Sequence, residues 1–349
     1  MIAQSRKASW RGQRMLAACL IVGLTAPGAL GAGPADKETP DQAALRARLA
    51  GLPWRIVYES YRGKDWELFA IRADGSGQVN LTRRPDADDL YPHASPDGTK
   101  ICFLVDEGQG RARSRNVYLM NADGTGRKLL ATNARQPCWA PDGKRIAYMN
   151  GEYPRFTYTD YASKGLVVYD MKTGRGRPHV NDKLHHLYNV CWSPDGSWLT
   201  ATVHGGMGHK HANLAFQAAG TQVVKLPRVG GCRPDISPDG KQICWNASDQ
   251  LIAVADVDLN ASPPAVANIR KAVTCPRSHE VYHADWSPDG KYIAFSYGPK
   301  AAEQVGKLAK GWRICVADAA RPEVWVPVTS DGVSNKEPDW LPAPGKKPR

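Results

Sequence analysis

The sequence predicts an all-β fold, a six-bladed β-propeller of four-stranded blades, and three observations carry that prediction. One phrase recurs as YPHASPDGTKICFLV from Tyr91, QPCWAPDGKRIAYMN from Gln136, NVCWSPDGSWLTATV from Asn189, RPDISPDGKQICWNA from Arg233 and YHADWSPDGKYIAFSYG from Tyr282. Its turn prolines fall at 96, 141, 194, 238, 288 and 342, spaced by 45, 53, 44, 50 and 54 residues, the period of four-stranded propeller blades. The opening unit lacks its first strand, and a lone first-strand phrase, EPDWLP from Glu337, stands at the far end. That strand is expected to pair beside 55–60 and close the ring, which removes an open sheet edge.

Residues 1–31 read as a secretory signal. Arg6, Lys7, Arg11 and Arg14 precede an apolar run from Met15 to Leu30 and then small residues. A lipoprotein-type cleavage before Cys19 fits poorly, because most of the apolar run follows that cysteine. The predicted location is periplasmic or secreted, and no later apolar run has the length of a transmembrane helix. The formal charge of +12 falls to +8 once the four cations of the signal are removed, a mild basic bias that suits an acidic ligand or plain solubility. Nucleic acid is not an expected partner outside the cytoplasm.

Residues 32–53 form a helical lead-in: Asp41 is the expected cap, Leu45 and Leu49 share a face, and Gly51-Leu52-Pro53 ends it. The propeller spans 54–342, entered at RIVYES on a second strand, and 343–349 form a basic disordered tail. In each unit β-branched and aromatic runs flank a Ser-Pro-Asp-Gly turn. Trp139, Trp192, Trp286 and Trp340 occupy one repeat position, expected to pack between blades. Cys102 and Cys244 fall in a small-residue slot with Ala147, Thr200 and Ala294, as packed thiols. Cys232 and Cys275 lie in connections and are the one pair worth testing for a disulfide.

SPDGK-x-I-A-F at 287–295 and NADGTGRKLL at 121–130 resemble the PD40 (WD40-like) repeats of the TolB-type propeller family, and the resemblance covers 54–342. It implies the six-bladed fold. The type member also carries a sizeable N-terminal α/β domain, whereas only 32–53 precede the first blade here. A Tol–Pal role is therefore not among the expectations.

Connections of one kind are uniformly short, and those of the other kind carry the insertions: 106–116, 150–164, 181–188, 204–211, 270–282 and 298–311. Long loops on one end of a rigid scaffold are where binding groups collect. The residues that open the first strands, Tyr91, Gln136, Asn189, Arg233, His283 and Glu337, should ring the channel entrance as ligand contacts. His93 stands two residues further along, as do Asp235, Asp285 and Asp339. In VHGGMGHKH (203–211) the imidazoles of His209 and His211 would point the same way on an extended segment. With His185, His186 or His283 they make a candidate site for a divalent metal.

No nucleophile elbow, HExxH helix or phosphate loop occurs. That points away from an enzyme and toward an exported binding module for a protein, peptide or glycan at the long-loop face. The alternative is a metal-assisted lyase or hydrolase acting on an acidic polysaccharide. Its support is the His-x-His pair, the basic loop residues Arg111, Arg113, Arg115, Lys300, Lys307 and Lys310, and a partial resemblance to the seven-bladed oligogalacturonate lyases. The metal motif of that family, which contains glutamine, is not found here, so no residue roles transfer.

Overall fold

The computed structural model describes residues 37–300 and 310–345. The predicted signal at 1–31, Lys307 and the last four residues of the tail lie outside the described residues. No helix among the described residues is long and apolar enough to cross a membrane.

Six antiparallel four-stranded sheets form the ring. Blade 1 joins Ser334–Leu341 to Arg55–Tyr61, Trp66–Arg72 and Val79–Asn80. Blade 2 runs Ala87–Ala94, Lys100–Glu107, Ser114–Asn121 and Lys128–Ala131; blade 3 runs Ala134–Trp139, Arg145–Gly151, Ser163–Asp170 and Arg175–Pro178. Blade 4 runs Leu187–Trp192, Trp198–Gly206, His209–Gln217 and Val223–Lys225. Blade 5 runs Cys232–Ile236, Gln242–Ser248, Leu251–Asp258 and Ala265–Thr274; blade 6 runs His279–Trp286, Tyr292–Pro299, Arg313–Asp318 and Arg321–Pro327. The closing strand pairs as expected, with Arg55 opposite Leu341 and Tyr61 opposite Ser334.

The repeated turn is built from local bonds. Ser193 Oγ donates to Asp195 Oδ1 (2.5 Å) and accepts the Trp198 amide (3.0 Å), while the Ser197 amide donates to Asp195 Oδ1 (3.0 Å). Ser95, Ser237 and Ser287 repeat the serine–aspartate bond with Asp97, Asp239 and Asp289. The glycine of the phrase supplies the left-handed residue the turn needs; at Gly98, with φ of 67°, a Cβ would stand 2.0 Å from the Pro342 carbonyl oxygen. Blade 2 is thereby seated directly on the closing strand.

Apolar side chains pack between neighbouring blades, and the four repeat tryptophans are buried there. The helix Pro40–Ala50 lays Leu45 and Leu49 onto a cluster that includes Ile56, Ile314, Tyr292 and Trp340, so it covers the seam where blades 6 and 1 meet. Its cap is Thr39, not Asp41. Thr39 Oγ1 accepts the Gln42 amide and the Gln42 side chain accepts the Thr39 amide, a reciprocal box that Pro40 at the first helical position favours. Asp41 instead faces Arg321 at 3.1 Å.

Two stretches expected as loops are strands. The segment 204–211 is the tip of the long hairpin of blade 4: Gly206 pairs with His209, and Met207 and Gly208 have φ of 51° and 79°, the left-handed pair that a two-residue turn requires. Residues 270–274 belong to the ten-residue outer strand of blade 5, which leaves 275–278 as the connection. Cys275 is a reduced thiol and is not bridged to Cys232.

Candidate functional site

One residue on each first strand leaves the pleat. Tyr91, Gln136, Asn189, Arg233, His283 and Glu337 all have left-handed backbones, with φ between 49° and 59°. At each, the ladder to the second strand slips, as between Leu90 and His93 or between Cys232 and Asp235. This is a β-bulge repeated around the ring, and each left-handed non-glycine residue costs roughly 1–2 kcal/mol. Proline follows four of the six (Pro92, Pro137, Pro234, Pro338), where it leaves no amide donor facing the channel. The bulge turns the six side chains toward the axis, where they line a cavity of about 100 Å³. The six residues expected to ring the entrance do stand together.

Four of the six amides at the bulge are taken up from a neighbouring blade. Tyr91 N–H donates to Glu59 Oε2 (3.0 Å), Arg233 N–H to Thr202 Oγ1 (2.8 Å) and His283 N–H to Asn246 Oδ1 (3.2 Å), all from one second-strand position. In blade 4 the Asn189 amide donates to Gln136 Oε1 at 2.8 Å instead. Gln136 Nε2 and Asn189 Oδ1 are buried beside the cavity with no hydrogen-bond partner among the described residues.

Across the mouth the charges are paired. Arg233 Nη1 reaches both Glu337 oxygens (2.8 and 3.0 Å), and His283 Nε2 lies 2.9 Å from Glu337 Oε1 while its Nδ1 meets Ser296 Oγ at 2.9 Å. Tyr91 Oη donates to Asp160 Oδ2 (2.7 Å) in the connection 152–162. Arg115 binds Asp106 through two nitrogens (2.7 and 2.8 Å) and Asp160 at 3.2 Å. Arg135 donates to the carbonyls of Thr159 (2.5 Å) and Thr157 (3.5 Å), which pins that same connection over the mouth; burial and the neighbouring Arg115 push it down to about 10. Glu59, buried under Tyr91, is pushed up to about 8 by burial and then by the Glu337 charge, against the Tyr91 amide.

A second tier lies below. Asp339 accepts the Ala94 amide (2.9 Å), Asp235 that of Trp286 (2.9 Å) and Asp285 that of Trp340 (3.0 Å), so each carboxyl laces its blade to another. The Trp139 amide meets His93 Nδ1 at 3.5 Å, and Cys191 Sγ donates to Asp235 Oδ1 at 2.9 Å. Burial raises all three carboxyls. Asp285 is raised well above the usual carboxylate range by burial and then by the adjacent Asp339 and Asp235, whereas His93 opposes the rise of Asp339, which reaches about 6.

The histidines expected to share a metal do not assemble that way. Among the described residues no group of three or more His, Cys, Asp or Glu side chains is placed to hold a metal ion. His185 Nδ1 contacts the Lys183 carbonyl at 2.7 Å and its Nε2 accepts the Met207 amide at 3.1 Å. His186 bonds the Gly205 carbonyl (2.9 Å) and Glu152 (3.0 Å). His283 belongs to the channel, and none of His185, His186, His209 and His211 lines the cavity.

Sequence reasoning missed Glu59, Arg135 and Asp160, and it took Arg115 for a basic group of the long loop where the structure buries it against Asp106. For Glu59 a signal existed, since it is the one acid at a repeat position held elsewhere by Leu104, Met149, Thr202, Asn246 and Ser296. The other three act through loop geometry that the repeat does not encode.

No family model matches the chain. It is 29% identical over 104 residues to an uncharacterised protein of Agrobacterium fabrum, covering 27% of this chain and 35% of that protein. It is 29% identical over 109 residues to the Tol-Pal system protein TolB of Alcanivorax borkumensis, 29% of this chain and 24% of that one. The chain thus spans about a third and a quarter of these curated relatives. The crystal structure of TolB from Acinetobacter baumannii superposes with a TM-score of 0.62 at 19% identity, over 86% of this chain and 70% of that chain. Blade number, strand order and ring closure make the chain a six-bladed β-propeller, and these likenesses show a fold similar to that of TolB.

Proposed function

We propose that the protein is an exported, non-catalytic binding module that receives a polar segment of a protein or peptide partner at the channel mouth. The observation that carries this reading is the repeated bulge. One strained position presents six different side chains to a single cavity, two of them with an unmatched amide donor and acceptor. Strain of this kind persists only where the surroundings hold it, and convergent polar groups in a cavity are the default binding hypothesis. The likeness to TolB proteins supports a protein as the partner. At about 100 Å³ the cavity takes a side chain or chain terminus more readily than a sugar ring, and the repeat tryptophans are buried rather than offered as a stacking platform.

A site-specific photo-cross-linker settles the face. Placed at Asn189 or Tyr91 in cells, p-benzoylphenylalanine should capture discrete partner proteins, and at Asp195, in the Ser-Pro-Asp-Gly turn, it should capture none. Capture at Asp195 with none at the mouth overturns the proposal.

A further inference from the structure

The motif VHGGMGHKH is not absorbed by the channel. The hairpin register sets His204 directly opposite His211 on adjacent strands, so both imidazoles share one face of the sheet. Their ring centroids are 5.5 Å apart with planes at 71°, and both residues are exposed. Each ring is held from the side: Tyr161 stacks on His204 at 4.3 Å and 29°, and Tyr188 Oη meets His211 Nε2 at 3.1 Å.

We propose that His204 and His211 form a two-imidazole, surface zinc-class site at the tip of blade 4, separate from the channel. A Zn–N bond of about 2.0–2.1 Å, with about 1.1 Å from nitrogen to ring centre, puts a metal about 3.2 Å from each centroid. Centroids 5.5 Å apart then subtend about 120° at the metal, near the tetrahedral angle. Water fills the remaining positions. The Tyr188 hydroxyl on Nε2 leaves His211 Nδ1 as the ligating nitrogen, the kind of outer contact that orients metal-binding histidines. His209 stands opposite Gly206, nearer the turn, and is not one of the two proposed ligands.

The test is calorimetric titration of the untagged protein with ZnCl₂, alongside His204→Gln, His211→Gln and His209→Gln. The proposal expects one zinc per chain, weakened at least tenfold by either of the first two substitutions and less than twofold by the third, with thermal midpoints of the zinc-free variants unchanged. Absence of zinc binding by the parent protein, binding that survives loss of both His204 and His211, or an equal loss in His209→Gln would each overturn it.

Discussion

Replacing Glu59 by glutamine isolates one buried carboxyl beneath the channel mouth. Glutamine retains the oxygen that accepts the Tyr91 amide and nearly the same volume, but it cannot ionise. In the folded protein Glu59 is raised from 4.5 to about 8, first by burial and then by Glu337, against the Tyr91 amide, Lys336 and Arg233. For an acid raised on folding, the native state keeps its proton after the unfolded chain has released it. Stability is therefore greatest below the unfolded value, falls as pH rises through the window from 4.5 to about 8, and is flat above it. At about 1.4 kcal/mol per unit the loss across that window is at most on the order of 5 kcal/mol. Urea unfolding of both proteins at intervals from pH 4 to 9 measures it. The stability difference, glutamine variant minus parent, should be near zero at pH 4 and climb steadily until about pH 8. The Asp339 carboxyl titrates in both proteins and cancels in that difference. A difference that does not change with pH would show that Glu59 holds its proton equally well folded and unfolded, and the account of the mouth would fail with it.

Two further outcomes follow from the geometry. Gly98→Ala and Gly143→Ala impose nearly the same left-handed strain (φ of 67° and 64°), but only the first drives a methyl group to 2.0 Å from Pro342, the nearest atom to the second being 4.0 Å away. Gly143→Ala should cost roughly 1–2 kcal/mol and Gly98→Ala at least twice that in urea unfolding; equal costs would refute the seating of blade 2 on the closing strand. Arg233→Ala removes a main partner of the Glu337 carboxylate, whose side chain is 11% exposed, and should destabilise by about 3–5 kcal/mol, while Arg233→Ala with Glu337→Gln should cost less than the single change. Additive losses in that pair would show that the two side chains do not act as a unit.

What the sequence by itself determined about this protein is whatever rests on contacts between near neighbours or on a strict repeat. The Ser-Pro-Asp-Gly turn is of this kind: hydroxyl, carboxylate and glycine satisfy one another within six residues, so the phrase means the same thing wherever it recurs. Its period counted the blades, its displaced last copy located the ring closure, and the residue heading each copy marked the six side chains at the mouth. Only the tertiary structure decided how those six are used. Only Asn189 and His283 are of types that favour a left-handed backbone; at Tyr91 and Arg233 the bulge goes with the acceptors Glu59 and Thr202, which take up the freed amides. The pairing of Arg233 with Glu337 spans 104 residues and joins blades 5 and 1, a distance over which sequence carries no angle. The histidine motif shows the same boundary within nine residues. Periodicity placed His209 and His211 on one face, but only the turn at Met207 and Gly208 brought His204 opposite His211, because register depends on where a hairpin closes and one residue of slip moves every side chain to the other face.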